Sequence, residues 1–195
     1  MKKIYIKMEE VRDNSFILAK RMVDLGIEPT ILYAVVRGGV YVANPISEYY
    51  SLIGKKVKYG VVNAHSYKGV NEQGEMVIEG WVPPLKSITK NDKIVIVDDI
   101  ADSRKTLEAL IEELEKKTPL KRRLNKNLKE NDIIIVTHDF KIYEGAKDNP
   151  KTRPDLFVNK WFVKKGESMW IFYLSHEVVG MNKEEIKKYY PILCK

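Results

Sequence analysis

The chain has 195 residues, 44% of them hydrophobic, and a formal net charge of +7. That length suits one domain with its own core, the single cysteine, Cys194, excludes an internal disulfide framework, and no run approaches the roughly 20 apolar residues that span a bilayer. The N-terminal MKKIYIKMEE lacks a signal-peptide core, so a cytoplasmic protein is expected, and the positive charge favours an anionic partner: nucleic acid, a membrane surface or a phosphorylated metabolite.

Phe16, Ile17, Ala19, Met22, Val23 and Leu25 recur at helical spacing, and Gly26 followed by Pro29 stops that helix. Ile31 to Val36 reads as a strand, Arg37-Gly38-Gly39 as a turn, and Val40 to Ser51 as a second helix. Val57 to Asn63 is the next strand. Between His65 and Lys90 lie Gly69, Gly74, Gly80 and Pro83-Pro84, a stretch that holds at most a hairpin and has the length of a lid or binding loop. Ile94 to Val97 is a short β-branched run of the kind a strand buried on both faces requires. A helix over Lys105 to Lys117 follows. The basic segment Lys116 to Lys129 has no apolar periodicity and reads as solvated surface, and Ile133 to Thr137 is another strand. This alternation predicts an α/β fold with a mainly parallel central sheet flanked by helices, binding ligands beyond the carboxyl ends of its strands. The final third differs in kind. Phe157-Val158 and Trp170 to Leu174 are short strand candidates, and Asn182 to Glu185 carries a capping-box signature for a last helix through Tyr190, together suggesting a small appended subdomain.

The chemistry concentrates in IVIVDDIADSRKT, Ile94 to Thr106. Asp98 and Asp99 stand where the strand leaves the core. Buried unpaired carboxylates are costly, so two in succession ask for ribose hydroxyls, a divalent cation or a base as partners. Asp102, Ser103 and Thr106 mark a tight turn into a helix whose free N–H groups form a pocket for phosphate. Glycines in Arg37-Gly38-Gly39 allow close backbone approach to a ligand, beside a guanidinium suited to phosphate oxygens.

The acidic stretch resembles the phosphoribosyl pyrophosphate (PRPP) motif of the type I phosphoribosyltransferases, with Asp98, Asp99, Asp102, Ser103, Lys105 and Thr106 matching and Arg104 standing where that family usually has Gly. Val36-Arg37-Gly38-Gly39 resembles the pyrophosphate loop of the 6-oxopurine enzymes. Asn63 to Glu79, with Ser66, Tyr67 and Lys68, resembles the flexible hood loop of the xanthine/guanine/hypoxanthine enzymes, and Lys151 to Val158 with Trp170-Ile171 resembles their base-binding pattern. The family's Pro-Trp-acid after Trp-Ile is replaced here by Leu174-Ser175-His176-Glu177.

The resemblance implies one type I phosphoribosyltransferase domain, with a core over about 10–140, a hood loop over about 65–90 and a base-binding subdomain over about 141–195. It implies transfer of the 5-phosphoribosyl group of PRPP to guanine, xanthine or hypoxanthine in purine salvage, with Mg²⁺ as cofactor. Asp98 and Asp99 would hold the ribose hydroxyls or the metal. Asp102 would be the general base and acid, and Asp102, Ser103, Arg104, Lys105 and Thr106 would cradle the 5′-phosphate. Arg37, Gly38 and Gly39 would hold pyrophosphate. Trp170 and the Ile171 backbone would bind the base with a lysine for which the sequence offers two candidates, Lys141 and Lys147. PRPP, a purine and further copies of the chain, as a homodimer or homotetramer, are the implied partners, without membrane or nucleic acid. The rival expectation is a regulator of the same fold that binds PRPP and, through Lys116 to Lys129, nucleic acid without catalysis; an orotate or adenine enzyme fits the lysine and Trp-Ile features less well.

Overall fold

A computed structural model describes residues 1–66 and 76–194, with the side chains of 65, 66 and 76 left aside. In chain order the elements are β1 (Lys2–Ile6), α1 (Met8–Asp24), β2 (Ile31–Val36), α2 (Gly39–Leu52), β3 (Lys58–Ser66), β4 (Met76–Val82), β5 (Ile94–Ala101), α3 (Lys105–Lys117), β6 (Ile133–Tyr143), β7 (Leu156–Val163), β8 (Met169–Tyr173) and α4 (Lys183–Tyr189). A six-stranded sheet runs β4-β3-β2-β5-β6-β7, parallel throughout except for the antiparallel β3–β4 pair. No described helix is long and apolar enough to cross a membrane.

The β-branched runs are continuous because the central strands are covered on both faces. Leu32, Ala34, Val95, Val97, Ile134 and Val136 pack under α1 and α2, while the alternate residues Ile31, Tyr33, Ile94, Ile96, Ile133 and Ile135 pack with Leu107, Leu110, Ile111 and Leu114 of α3. The α1 face departs from the sequence expectation. Val11, Ser15, Leu18, Ala19 and Met22 are its buried positions, whereas Phe16, Ile17 and Leu25 are exposed.

Two strand assignments also change. Phe157-Val158, expected in the appended part, belongs to an eight-residue β7 at the edge of the main sheet, because β6 runs past Thr137 to Tyr143 and gives it a parallel partner. β8 pairs with β1 as a separate two-stranded parallel ribbon, register Lys2↔Met169 to Ile6↔Tyr173. The last helix forms with its capping box, Asn182 accepting from the Glu185 N–H and Glu185 from the Asn182 N–H. Part of the basic segment is consumed by the fold. Arg122 is buried, donating to Asp155 Oδ2 at 2.6 Å and to the carbonyls of Ile133, Lys151 and Arg153. Lys117 pairs with Glu113, and Lys121 Nζ donates to Glu115 O.

Candidate active site

The carboxyl ends of β2, β5 and β6 bring three loops together. β5 delivers Asp98 and Asp99, and the turn after it delivers Asp102, Ser103 and Arg104 into α3. β2 ends in Arg37-Gly38-Gly39, with a cis peptide between Val36 and Arg37. The glycine turn presses on the acidic strand: a Cβ on Gly38 would lie 2.0 Å from Asp99 Oδ2, and one on Gly39 would lie 2.4 Å from Val97 O. A side chain on Gly39 would meet backbone that cannot yield, and one on Gly38 would displace the Asp99 carboxylate, which is the physical content of the two glycines. Arg37 itself is exposed.

The two carboxylates are unequal. Asp98 Oδ1 accepts the backbone N–H of Asp99 at 2.9 Å, and its carboxyl is pushed well above the ordinary range by burial and then by the neighbouring Asp99 charge. Asp99 Oδ2 lies 3.2 Å from His176 Nε2. Two adjacent hard oxygen ligands fit Mg²⁺, which takes one or two carboxylates and completes its shell with water and substrate phosphate. Among the described residues no cluster of three His, Cys, Asp or Glu could hold a metal alone. A cation here would therefore be held by Asp98 and Asp99 with oxygens brought by a substrate.

Asp102, half-buried at the start of the turn, is gripped twice. Lys141 Nζ donates to its Oδ2 at 2.8 Å and to Met169 O at 3.0 Å, and the Tyr143 hydroxyl donates to Oδ1 in a short contact. Lys141 is buried; Tyr143 is pushed upward in pKa by burial and by Asp102. The two side chains are neighbours on one face of β6 because they are two residues apart. The Lys141 ammonium also lies 6.0 Å from the ring of Trp170, which is 47% exposed on β8, while Ile171 beside it is buried. A cavity of about 360 Å³ opens between Asp102, Arg104, Phe140, Lys141, Tyr143 and Lys147. Lys147 stands on the loop after β6, exposed.

Among the described residues no side chain caps α3, so its first-turn N–H groups face the loop that carries exposed Ser103, with half-buried Thr106 in that first turn. Arg104 takes a left-handed conformation, φ 63°, the region that favours glycine. Its guanidinium donates to Asp148 Oδ1 at 3.0 Å and sits 5.9 Å from the Phe140 ring. Tyr67 and Lys68 lie outside the described residues, and Ser66 is described only as the last residue of β3.

A family model for the phosphoribosyl transferase domain matches residues 1–163. The chain belongs to that family. A search of curated protein sequences returns no match. Among solved structures, a purine phosphoribosyltransferase from Pyrococcus horikoshii is similar at 25% identity and TM-score 0.62, covering 94% of this chain and 100% of that one. A xanthine-guanine-hypoxanthine phosphoribosyltransferase from Helicobacter pylori is similar at 22% identity and TM-score 0.59, covering 89% of this chain and 92% of that one. A hypothetical protein from Neisseria gonorrhoeae with bound ppGpp matches at 17% identity and TM-score 0.63, covering 97% and 94%. The last two likenesses are of fold.

This phosphoribosyltransferase also carries polar groups that the motifs did not disclose. Asp139 is buried and accepts from His138 Nδ1 at 2.6 Å, Trp161 Nε1 at 2.5 Å and the Tyr173 hydroxyl at 2.5 Å. Burial alone would raise its pKa, but the bonds from His138, Trp161 and Tyr173 outweigh that and hold it below the ordinary carboxylate value. Asn14 of α1 meets His138 Nε2 at 3.1 Å. Tyr143 could have been found from its i, i+2 spacing to Lys141; His176 and the Asp139 network give no local signal, because their partners lie on other elements.

Proposed function

We propose that the protein transfers the 5-phosphoribosyl group of PRPP to N9 of a 6-oxopurine, releasing pyrophosphate and forming the nucleoside 5′-monophosphate. The observation that carries this reading is the convergence of Asp102 from the β5 turn, Lys141 from β6 and Trp170 from β8, with Lys141 Nζ 2.8 Å from Asp102 and 6.0 Å from the Trp170 ring. A proton acceptor, a donor for an exocyclic oxygen and a flat stacking surface are what a 6-oxopurine asks for. The similarity to purine phosphoribosyltransferases is consistent with it.

In this reading the C1′–O bond to pyrophosphate breaks as the N9–C1′ bond forms, through a transition state with ribosyl oxocarbenium character. Asp102 takes the proton from N7 of the base, and Lys141 donates to O6 in place of its present bond to Asp102 or Met169 O. Lys141 is preferred to Lys147 because it reaches Asp102 directly. Trp170 stacks on the ring while the Ile171 backbone meets its edge. Ser103, Lys105, Thr106 and the first N–H groups of α3 hold the 5′-phosphate, and Arg104 shapes that turn from its position on Asp148. Arg37, Gly38 and Gly39 receive the pyrophosphate, and Asp98 and Asp99 hold the ribose hydroxyls. Mg²⁺ bound there supplies positive charge against the phosphate oxygens of PRPP. The protein works as a cytoplasmic homo-oligomer, a homodimer or homotetramer.

The test is pyrophosphate release from PRPP and Mg²⁺ with guanine, xanthine and hypoxanthine, with adenine and orotate as controls. Turnover with at least one 6-oxopurine and its loss on chelation are expected. No turnover with any of the three overturns the proposal. The rival of a non-catalytic regulator is weakened by the burial of Arg122 within the fold itself.

A further inference from the structure

His176 is reached by three elements that the proposed reaction must hold in register. Its Nε2 is 3.2 Å from Asp99 Oδ2, at the end of β5. Its ring stacks on Tyr41 in α2, centroids 4.7 Å apart at 14°, and on Tyr173 at the end of β8, 5.5 Å apart at 10°. The Tyr173 hydroxyl lies 3.0 Å from Asp99 O and 2.5 Å from Asp139 Oδ2. Stacking on both phenol rings holds the plane of the imidazole, and in that plane Nε2 faces the Asp99 carboxylate. Asp99 can only accept when ionised, so Nε2 carries the hydrogen. Nδ1 is then the acceptor, and Ser175 Oγ, 2.8 Å away, is placed to donate to it and hold that tautomer.

The same carboxylate oxygen is the one pressed by Gly38, whose Cβ position lies 2.0 Å from Asp99 Oδ2. Asp99 is therefore confined from one side by the turn after β2 and from the other by the segment after β8. Resting on the phosphoribosyl-transfer reading for its substrate, we propose that His176 is a positioning residue for the reaction, holding Asp99 in the orientation that receives the ribose of PRPP. Its action is a hydrogen bond, with the aromatic stack serving to aim it. The side chain touches no reacting atom in this account.

Two substitutions separate the bond from the stack. His176→Phe keeps a ring between Tyr41 and Tyr173 and removes the donor; His176→Gln removes the ring and can place an amide N–H near the Nε2 position. We expect the Kd for PRPP with Mg²⁺, measured by titration calorimetry, to rise about tenfold in His176→Phe, the scale of one charge-assisted hydrogen bond. The KM for PRPP should rise in parallel while kcat falls less, and His176→Gln should recover most of the affinity. Affinity retained in His176→Phe overturns the proposal, as does a greater loss in His176→Gln than in His176→Phe, since either result assigns the residue to packing alone. If thermal melts show that these variants fold poorly, Ser175→Ala decides: weaker PRPP binding by two- to fivefold, the scale of one neutral hydrogen bond, supports the proposal and unchanged binding overturns it. Wild-type protein that binds PRPP but turns over no purine overturns the proposed function and leaves the effect on PRPP binding measurable. Wild-type protein that does not bind PRPP overturns both.

Discussion

Gly38 and Asp99 occupy one another's space: a methyl group on Gly38 would sit 2.0 Å from the Asp99 Oδ2 atom. Carbon and oxygen cannot approach that closely, so Gly38→Ala must move either the turn or the carboxylate. The second glycine, facing backbone oxygen at 2.4 Å, offers no slack. Since a displacement of about 1 Å at a reacting centre can cost on the order of a hundredfold in rate, Gly38→Ala should reduce phosphoribosyl transfer by about that factor. Steady-state pyrophosphate release measures it, and a rate within a few-fold of wild type would show that the turn is more pliable than this packing allows.

Asp102 is held by two donors of different strength, and the difference should be visible in kinetics. Lys141 brings a charge-assisted bond from a buried ammonium and also satisfies Met169 O, while Tyr143 brings a neutral hydroxyl. Lys141→Met should lower kcat/KM for the base about a hundredfold, because the donor to O6 and the partner of Asp102 are lost together. Tyr143→Phe should cost about fivefold, the scale of one neutral hydrogen bond. PRPP binding should change little in both, as neither residue faces Asp98 or Asp99. Equal losses in the two variants would remove Lys141 from its assigned role.

What the sequence made legible follows the range of the forces involved. Ile94 to Val97 and the helix Lys105 to Lys117 were readable because β-branched continuity and helical periodicity are local signals; the helix has the expected bounds, while the strand continues through Asp98 and Asp99 to Ala101 because β6 extends beside it. The Asp98 to Thr106 order was readable because backbone geometry forces strand, turn and helix N-terminus into sequence proximity. The β1–β8 ribbon was not: it joins the two ends of the chain, and the alternation of Ile4 and Ile6 says nothing about a partner at Ile171. The α1 face was misread because Phe16 and Ile17 are apolar yet exposed, while Ser15 is buried by donating to Val11 O at 2.6 Å. Site groups assembled across elements, among them His176 on Asp99 and Tyr143 on Asp102, needed the fold to bring them together.

Buried Asp139 links the stability of the fold to pH. Its three donors hold it ionised, with a pKa below the ordinary carboxylate value despite burial. A depressed folded-state pKa contributes stability above the unfolded value of about 4, and that contribution is lost as pH falls through the folded value. Wild-type protein should therefore lose stability progressively below about pH 4. Asp139→Asn places an amide N–H against donors and removes the charge. It should cost about 3 kcal/mol at neutral pH in urea unfolding and show a flatter dependence on acid. An Asn variant as stable as wild type would mean that the network reorganises around a neutral acceptor.

Arg104 stores strain in the turn between β5 and α3. Its φ of 63° is a conformation that costs a side-chain-bearing residue about 1 kcal/mol relative to Gly. What offsets the strain is the guanidinium, largely buried against Asp148 and over Phe140, which ties the turn before α3 to the loop after β6. Two variants separate these contributions. Arg104→Ala keeps the strained backbone and loses the tether, so it should destabilise by about 1–2 kcal/mol. Arg104→Gly loses the same tether but relaxes the turn, so it should lie about 1 kcal/mol above Arg104→Ala in urea unfolding. If Ala and Gly are equally stable, the turn carries no strain and the arginine is accommodated at no conformational cost.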